Sequence, residues 1–364
     1  MRDNYLLHNE TAKRLYFEYA KNLPIIALCS ELPECDSEYS NVCEAFLLND
    51  CCKLDAMRSC GVDEKYITGD ASDYEKFRAF CSVLPKFAGN SVYLLSHIEL
   101  NRNFDCDITV CEENCDEIWH FCNSKIMTDS FSDHTAMSQS KISFVKAFYP
   151  LIFNEINNPT VKSLRDLESR LIEMISHQDS NGCKTAVCSV IDKFIKPNPY
   201  QANEILQKIK DCNKSITPDE MRLLDMQIYR TLGSELKKRD WSLIWYKEDY
   251  GADSYIDNEI LHYLYNSNAL PKNYNLVYID IEEGEQEISS RLVEFARRNI
   301  LGRFMFLPGI ISPTSAYAHV DYTRRIICNI IGAWVENGEY PSDEKTLKKL
   351  IEDILYNNLK EAIG

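Results

Sequence analysis

The sequence predicts an α/β fold, and three observations lead there. Four short apolar runs without alternation, Pro24–Leu28, Leu243–Trp245, Leu276–Ile281 and Phe304–Leu307, read as strands. Runs of that kind suit strands covered on both faces, as a parallel sheet requires. Segments of helical spacing separate them, which favours α/β over all-α or all-β. The chain has 364 residues, 45% of them hydrophobic, with 12 Gly and 12 Pro. Those values exclude disordered and collagen-like chains and fit one large α/β unit or two ordinary domains.

The elements follow in order. Ala12, Leu15, Tyr16 and Tyr19 fall at i, i+3, i+4 and i+7 and give a first helix one apolar stripe. Ser72-Asp73-Tyr74-Glu75 is a capping box, in which the hydroxyl and the carboxylate satisfy orphan N–H groups at a helix start. Phe77, Phe80, Cys81 and Leu84 continue that helix. Cys115, Trp119 and Cys122 share a face of the helix around Ile118, so their thiols are read as packing groups rather than zinc ligands. The polar stretch 128–141 reads as a loop or boundary. Thr217-Pro218-Asp219-Glu220 is a second capping box with proline at the first helical position. A last helix runs from Ser342 to about Leu359, with Leu347, Leu350, Ile351, Ile354 and Leu355 as its buried face.

Charge and cysteine usage bound the function. The net charge is −16, which opposes broad phosphate-backbone binding and predicts no nucleic-acid partner. No run of 18 apolar residues and no apolar leader occur, so no membrane partner is expected. Fifteen cysteines without a leader read as reduced thiols in a cytoplasmic protein. Phosphate-loop, dinucleotide, nucleophile-elbow and H-E-x-x-H motifs are absent.

Four blocks resemble the uronate (glucuronate) isomerase family of the amidohydrolase superfamily. They are Leu6–Tyr16 continuing to Ile26; Ala56-Met57-Arg58 with Gly61–Asp73 and Glu75-Lys76-Phe77; Gly89-Asn90, Tyr93 and His97–Leu100 with Asp116–Trp119; and Arg324–Gly332 with Trp334–Pro341 and Tyr356-Asn357-Asn358. The resemblance implies a TIM-type (β/α)8 barrel with additional helices, as a single domain over residues 1–364. It further implies interconversion of D-glucuronate with D-fructuronate, or D-galacturonate with D-tagaturonate, at the C-terminal ends of the strands. Family segments look missing near 126–141 and before 300, which shortens the barrel. Uncovered strand edges would then call for helices or a homo-oligomeric partner.

At the positions that carry the family's chemistry this sequence differs. Cys29 and Glu31 stand at a family His-x-His metal pair, Cys51-Cys52 at a His-Tyr pair, Asp55 at an Arg, and Leu94-Leu95 at a His-Trp. Ala186-Val187-Cys188 replaces Ser-Asp-His, Tyr246 a His, and Gly309-Ile310-Ile311-Ser312 a Thr-Asp-Ser-Arg. Ile310 cannot ligate a metal or accept a proton, and Ser312 cannot clamp a carboxylate as Arg can. The expectation is a pseudoenzyme: a uronate isomerase-like protein, dead or severely impaired, with no cofactor. The alternatives are an active isomerase with a divalent metal (zinc) held at Cys29 and Glu31, and a non-catalytic binding or interaction module whose ligand is a uronate sugar or unknown. His97 is the candidate catalytic residue among the polar groups retained in family blocks. Arg324 and Arg325 read as a solvated helix face, and Asp73 and Glu75 as helix-start groups.

Overall fold

The structure, a computed structural model, describes residues 3–31, 38–129, 131–150, 152–191, 193–211, 215–247, 258–280, 285–297, 301–308 and 313–363. Helix α1 (Glu10–Arg14) runs into a π-helical turn and then β1 (Ile25–Cys29). A helical layer follows: α2 (Val42–Phe46), α3 (Cys51–Ser59), α4 (Asp73–Val83), α5 (Ser91–Phe104), α6 (Cys115–Asp129) and α7 (Asp133–Ser140). Beyond it lie β2 (Ile142–Lys146), α8 (Ile152–Ile156), α9 (Leu164–Ser180) and β3 (Thr185–Ser189). Next come α10 (Pro199–Lys210), α11 (Pro218–Lys238), β4 (Ser242–Lys247), α12 (Asn258–Asn266), β5 (Tyr274–Asp280), α13 (Glu285–Arg297) and β6 (Phe304–Pro308). The chain closes with α14 (Pro313–Glu336), α15 (Glu344–Glu352), a second π turn and α16 (Asn358–Ile363).

All strands are parallel and adjacent in chain order. β1 pairs with β2, and β3, β4, β5 and β6 form a second ladder. A bridge between Phe148 and Ala186 joins the two, with Phe148 N–H donating to Thr185 O and Val187 N–H to Phe148 O, each at 2.8 Å. That succession is the barrel pattern, carried here by six described strands. Strand alternation sorts the side chains. Ile26, Ala147, Val187 and Ile244 meet Leu359 of α16 in one cluster, so the C-terminal helix supplies side chains to the inner face. The Ser242 hydroxyl at the start of β4 donates to Ala362 O, which places α16 at the N-terminal rim of the strands. On the outer face, Ile25 and Ala27 pack on Ala316 and Val320 of α14. Ala186, Cys188, Leu243 and Trp245 pack with α11 and α12.

Both capping boxes form as the sequence predicts, at Ser72 and Thr217. Two expectations need correction. The stretch read as a loop is largely helical: α6 runs to Asp129, and Ser132 caps α7 with Thr135 in the place Glu or Gln usually takes. Arg324 and Arg325 are not on a solvated face but are 2% and 5% exposed. Arg324 donates to the carbonyls of Lys21 (3.3 Å), Leu23 (2.8 Å) and Pro24 (3.0 Å) on the approach to β1. Arg325 pairs with Asp321 at 2.8 Å and donates to the Tyr16 hydroxyl, while Tyr5 donates to Asp321. The helical spacing located both arginines on a helix; what it could not show is that the N-terminal segment covers that side. Close approach of α1 requires Gly332, where a Cβ would lie 2.7 Å from Asn9 Oδ1 and 2.8 Å from Ala12 N.

Arg324→Ala removes a buried cation that serves three carbonyls and is expected to cost about 3 kcal/mol or more. Arg324→Lys should recover only part of this, since an ammonium cannot reproduce the planar fork. Urea unfolding checks both; a loss below about 0.5 kcal/mol for Arg324→Ala would remove this role.

Candidate functional site

In a parallel α/β barrel the reacting groups sit where strands end at their C-termini. At the end of β1, Cys29 is half-buried and its thiol donates to Val145 O at 3.6 Å. Burial raises its pKa, which disfavours a thiolate. By alternation Cys29 falls on the side of Ile25 and Ala27, facing α14. Glu31 is exposed in the bend beyond. At the end of β3, Cys188 is buried in the outer cluster and burial pushes its thiol up. Beside it lies a cavity of about 340 Å³ lined by Ser189, Asp225 and Tyr229, where burial lifts Asp225 to about 6. Tyr246 lies in β4. Gly309, Ile310, Ile311 and Ser312 lie outside the described residues. Among the described residues no three His, Cys, Asp or Glu side chains come together in a way that fits a metal ion.

His97 sits on α5, away from the strand ends. Its Nδ1 lies 2.8 Å from Tyr93 O, and Val110 N–H donates to Nε2 at 3.1 Å. The Nε2 bond requires a lone pair there, so the ring is neutral with its proton on Nδ1. Burial lowers its pKa in the same direction. Nδ1 is thereby engaged within α5, and Nε2 braces the helix against the segment at Val110.

A second group of charged side chains lies in the helical layer; of its members the sequence reading named Glu99, as a polar group retained in a family block, and did not bring Asp50, Lys53 and His319 together with it. Asp50 caps α3, accepting from Lys53 N–H at 3.1 Å. Lys53 Nζ lies 3.0 Å from Asp50, 2.5 Å from Glu99 Oε2 and 2.7 Å from Phe46 O, over the Phe46 ring. An ammonium has three protons, so Lys53 is saturated. Glu99 is 2% exposed, and its Oε1 has no hydrogen-bond partner. Burial, resisted by Lys53 and reinforced by Asp50, lifts Glu99 to about 7. His319 of α14 is buried nearby, and desolvation pushes it down to about 4. These groups line a cavity of about 240 Å³ between α3, the start of α5 and α14, with Cys52, Asp55 and Leu95 also in its wall. The available signal was local: Glu99 interrupts the apolar Ile98–Leu100 run, and His319 stands between Ala318 and Val320.

A glucuronate isomerase family model matches residues 1–149 and 279–362. The chain belongs to the glucuronate isomerase family. Curated uronate isomerases from Lachnospira eligens and Caldicellulosiruptor bescii are 27% and 28% identical, over 100% of this chain and 98% and 99% of theirs. The first of these alignments spans 462 positions, more than the 364 residues here, so this family member is shorter while matching end to end. The crystal structure of uronate isomerase from Thermotoga maritima superposes with a TM-score of 0.77 at 19% identity, covering 100% of this chain and 99% of that one. Glucuronate isomerase from Caulobacter crescentus gives 0.76 at 15%, covering 100% and 96%. The barrel-type fold is therefore that of the family. Among the described residues no helix is long and apolar enough to cross a membrane.

Cys52, Asp55 and Leu95 line the same cavity, and Asp55 shares its wall with Asp50 and Glu99.

Glu99 and His319 impose opposing pH dependences. Glu99 releases its proton near 4.5 when unfolded and near 7 when folded, so stability falls as pH rises through that window. His319 takes up a proton near 6.5 when unfolded and near 4 when folded, so stability falls as pH drops through that window. His319→Gln should leave a protein that loses stability from pH 4.5 to 7. Glu99→Gln should leave one that gains stability from pH 4 to 6.5. Urea midpoints across that range test this; parallel profiles for both variants and the parent would overturn it.

Proposed function

We propose that this chain is a glucuronate isomerase family member that has lost all or nearly all uronate turnover and acts as a non-catalytic binding module in the cytoplasm. The observation that carries the reading is the electrostatics of the cavity walled by Asp50, Asp55, Glu99 and the saturated Lys53. A uronate brings a carboxylate, which needs a free cation or several donors to leave water. Here the ammonium is already held by Asp50, Glu99 and Phe46 O, Asp55 is paired with Arg58, and the surplus negative charge of the Asp50–Glu99 pair repels an anion.

The reaction also requires a proton moved between adjacent carbons and an electrophile on the carbonyl oxygen. A divalent metal would supply that electrophile. The donor set does not fit one: Cys29 turns to the helix layer, Glu31 is exposed, and no third ligand joins them among the described residues. His97 has both nitrogens committed to backbone groups, so it is not free to shuttle a proton. Losing acid/base assistance alone costs about 10²–10⁴ in rate. On this reading the chain is shortened near 126–141 and before 300.

The test is turnover. Purified protein supplied with zinc, manganese or cobalt is assayed with D-glucuronate and D-galacturonate beside the Lachnospira eligens relative. The expected kcat/KM is at least about a thousandfold below that of the relative. A value within about tenfold would overturn the proposal and favour an isomerase working through an altered metal site.

A further inference from the structure

We infer that the cavity between α3, α5 and α14 binds a small hydroxylated cation, of the hexosamine class, with Glu99 as the acceptor of its ammonium group. This deepens the non-catalytic reading by naming a ligand class, and it rests on that reading. Three features carry it. First, Glu99 is 2% exposed, yet Oε1 has no partner. A buried carboxylate oxygen without a donor is costly, and a ligand N–H or O–H is the group that relieves it. Second, the wall is acidic once Glu99 is ionised. Asp50 and Glu99 then share the one ammonium of Lys53, while Asp55 at the rim is paired with Arg58 at 2.7 Å, so the surplus negative charge lies on the Asp50–Glu99 pair. A cation is favoured there and an anionic sugar is not.

Third, the remaining wall suits a pyranose. Phe87, Val92 and Leu95 offer an apolar surface, while Ser59, Asn90 and Ser91 bring hydroxyl and amide groups to the opening. The cavity of about 240 Å³ is smaller than the ~300–1,000 Å³ usual for drug-sized ligands, so it admits a molecule of monosaccharide size. A metal ion is the poorer occupant, because no three ligating side chains converge among the described residues.

Isothermal titration of the full chain with D-glucosamine, D-glucose and D-glucuronate tests the inference. D-glucosamine should bind saturably, D-glucose at least about tenfold more weakly, and D-glucuronate not measurably. Glu99→Gln should weaken D-glucosamine at least about tenfold. Because that change also strips Lys53 of a partner, a second variant, Ala56→Phe, fills the cavity from its half-buried rim without touching a charge, and it too should abolish binding. Circular dichroism confirms folding of each variant; if Glu99→Gln does not fold, Ala56→Phe decides. The inference is overturned if D-glucosamine does not bind, if D-glucuronate binds as tightly, or if a folded variant binds like the parent. Turnover is read separately: isomerase activity with no D-glucosamine binding sinks both readings, whereas an inactive protein that binds no D-glucosamine sinks only this one.

Discussion

The rest of the structure depends on how α14 manages the open side of a parallel sheet. Among the described residues β1 and β6 are not paired to each other, and α14 packs on both. Unpaired strand edges must be covered. Arg324 does part of this from within the helix, offering its guanidinium to the last carbonyls before β1. Burial lowers the pKa of that guanidinium, which measures the cost of dehydrating it; hydrogen bonds from a charged donor offset the cost. Beside it, Arg325 and Asp321 of the same helix, with Tyr5 and Tyr16, clasp the N-terminal segment, so the chain's beginning and its late helix form one unit.

That unit fixes the position of His319 and hence the wall of the acidic cavity. The same helix that replaces a closing strand contact thus contributes to the candidate binding site. On the opposite rim, α16 sends Leu359 into the inner cluster with Ile26, Ala147, Val187 and Ile244. That cluster is apolar, and the Ser242 hydroxyl fixes the same helix to the rim through Ala362 O.

Local signals were faithful where neighbours in sequence carry the energy. Capping boxes at Ser72 and Thr217 are closed within four residues, and the apolar runs that became β1, β4, β5 and β6 announce themselves by unbroken hydrophobic sequence. β2 and β3 escaped notice because Ile142-Ser143-Phe144-Val145-Lys146 and Thr185-Ala186-Val187-Cys188-Ser189 mix polar residues into short runs; only their ladders mark them as strands. The single late helix expected from Ser342 is interrupted by a π turn at Asp353–Asn357, which redirects α16 toward the strand rim.

By itself the sequence determined the fold class, the family blocks and the acidic balance. These follow from composition, spacing and side-chain chemistry, which are properties of the chain. Only the tertiary structure decided that Arg324 and Arg325 are buried, that His97 is spent on backbone groups, and that Lys53 stands between two carboxylates. Each of those depends on at least one partner 13 to more than 300 residues away, brought near by packing, and no local spacing encodes what a distant segment will place beside a charge.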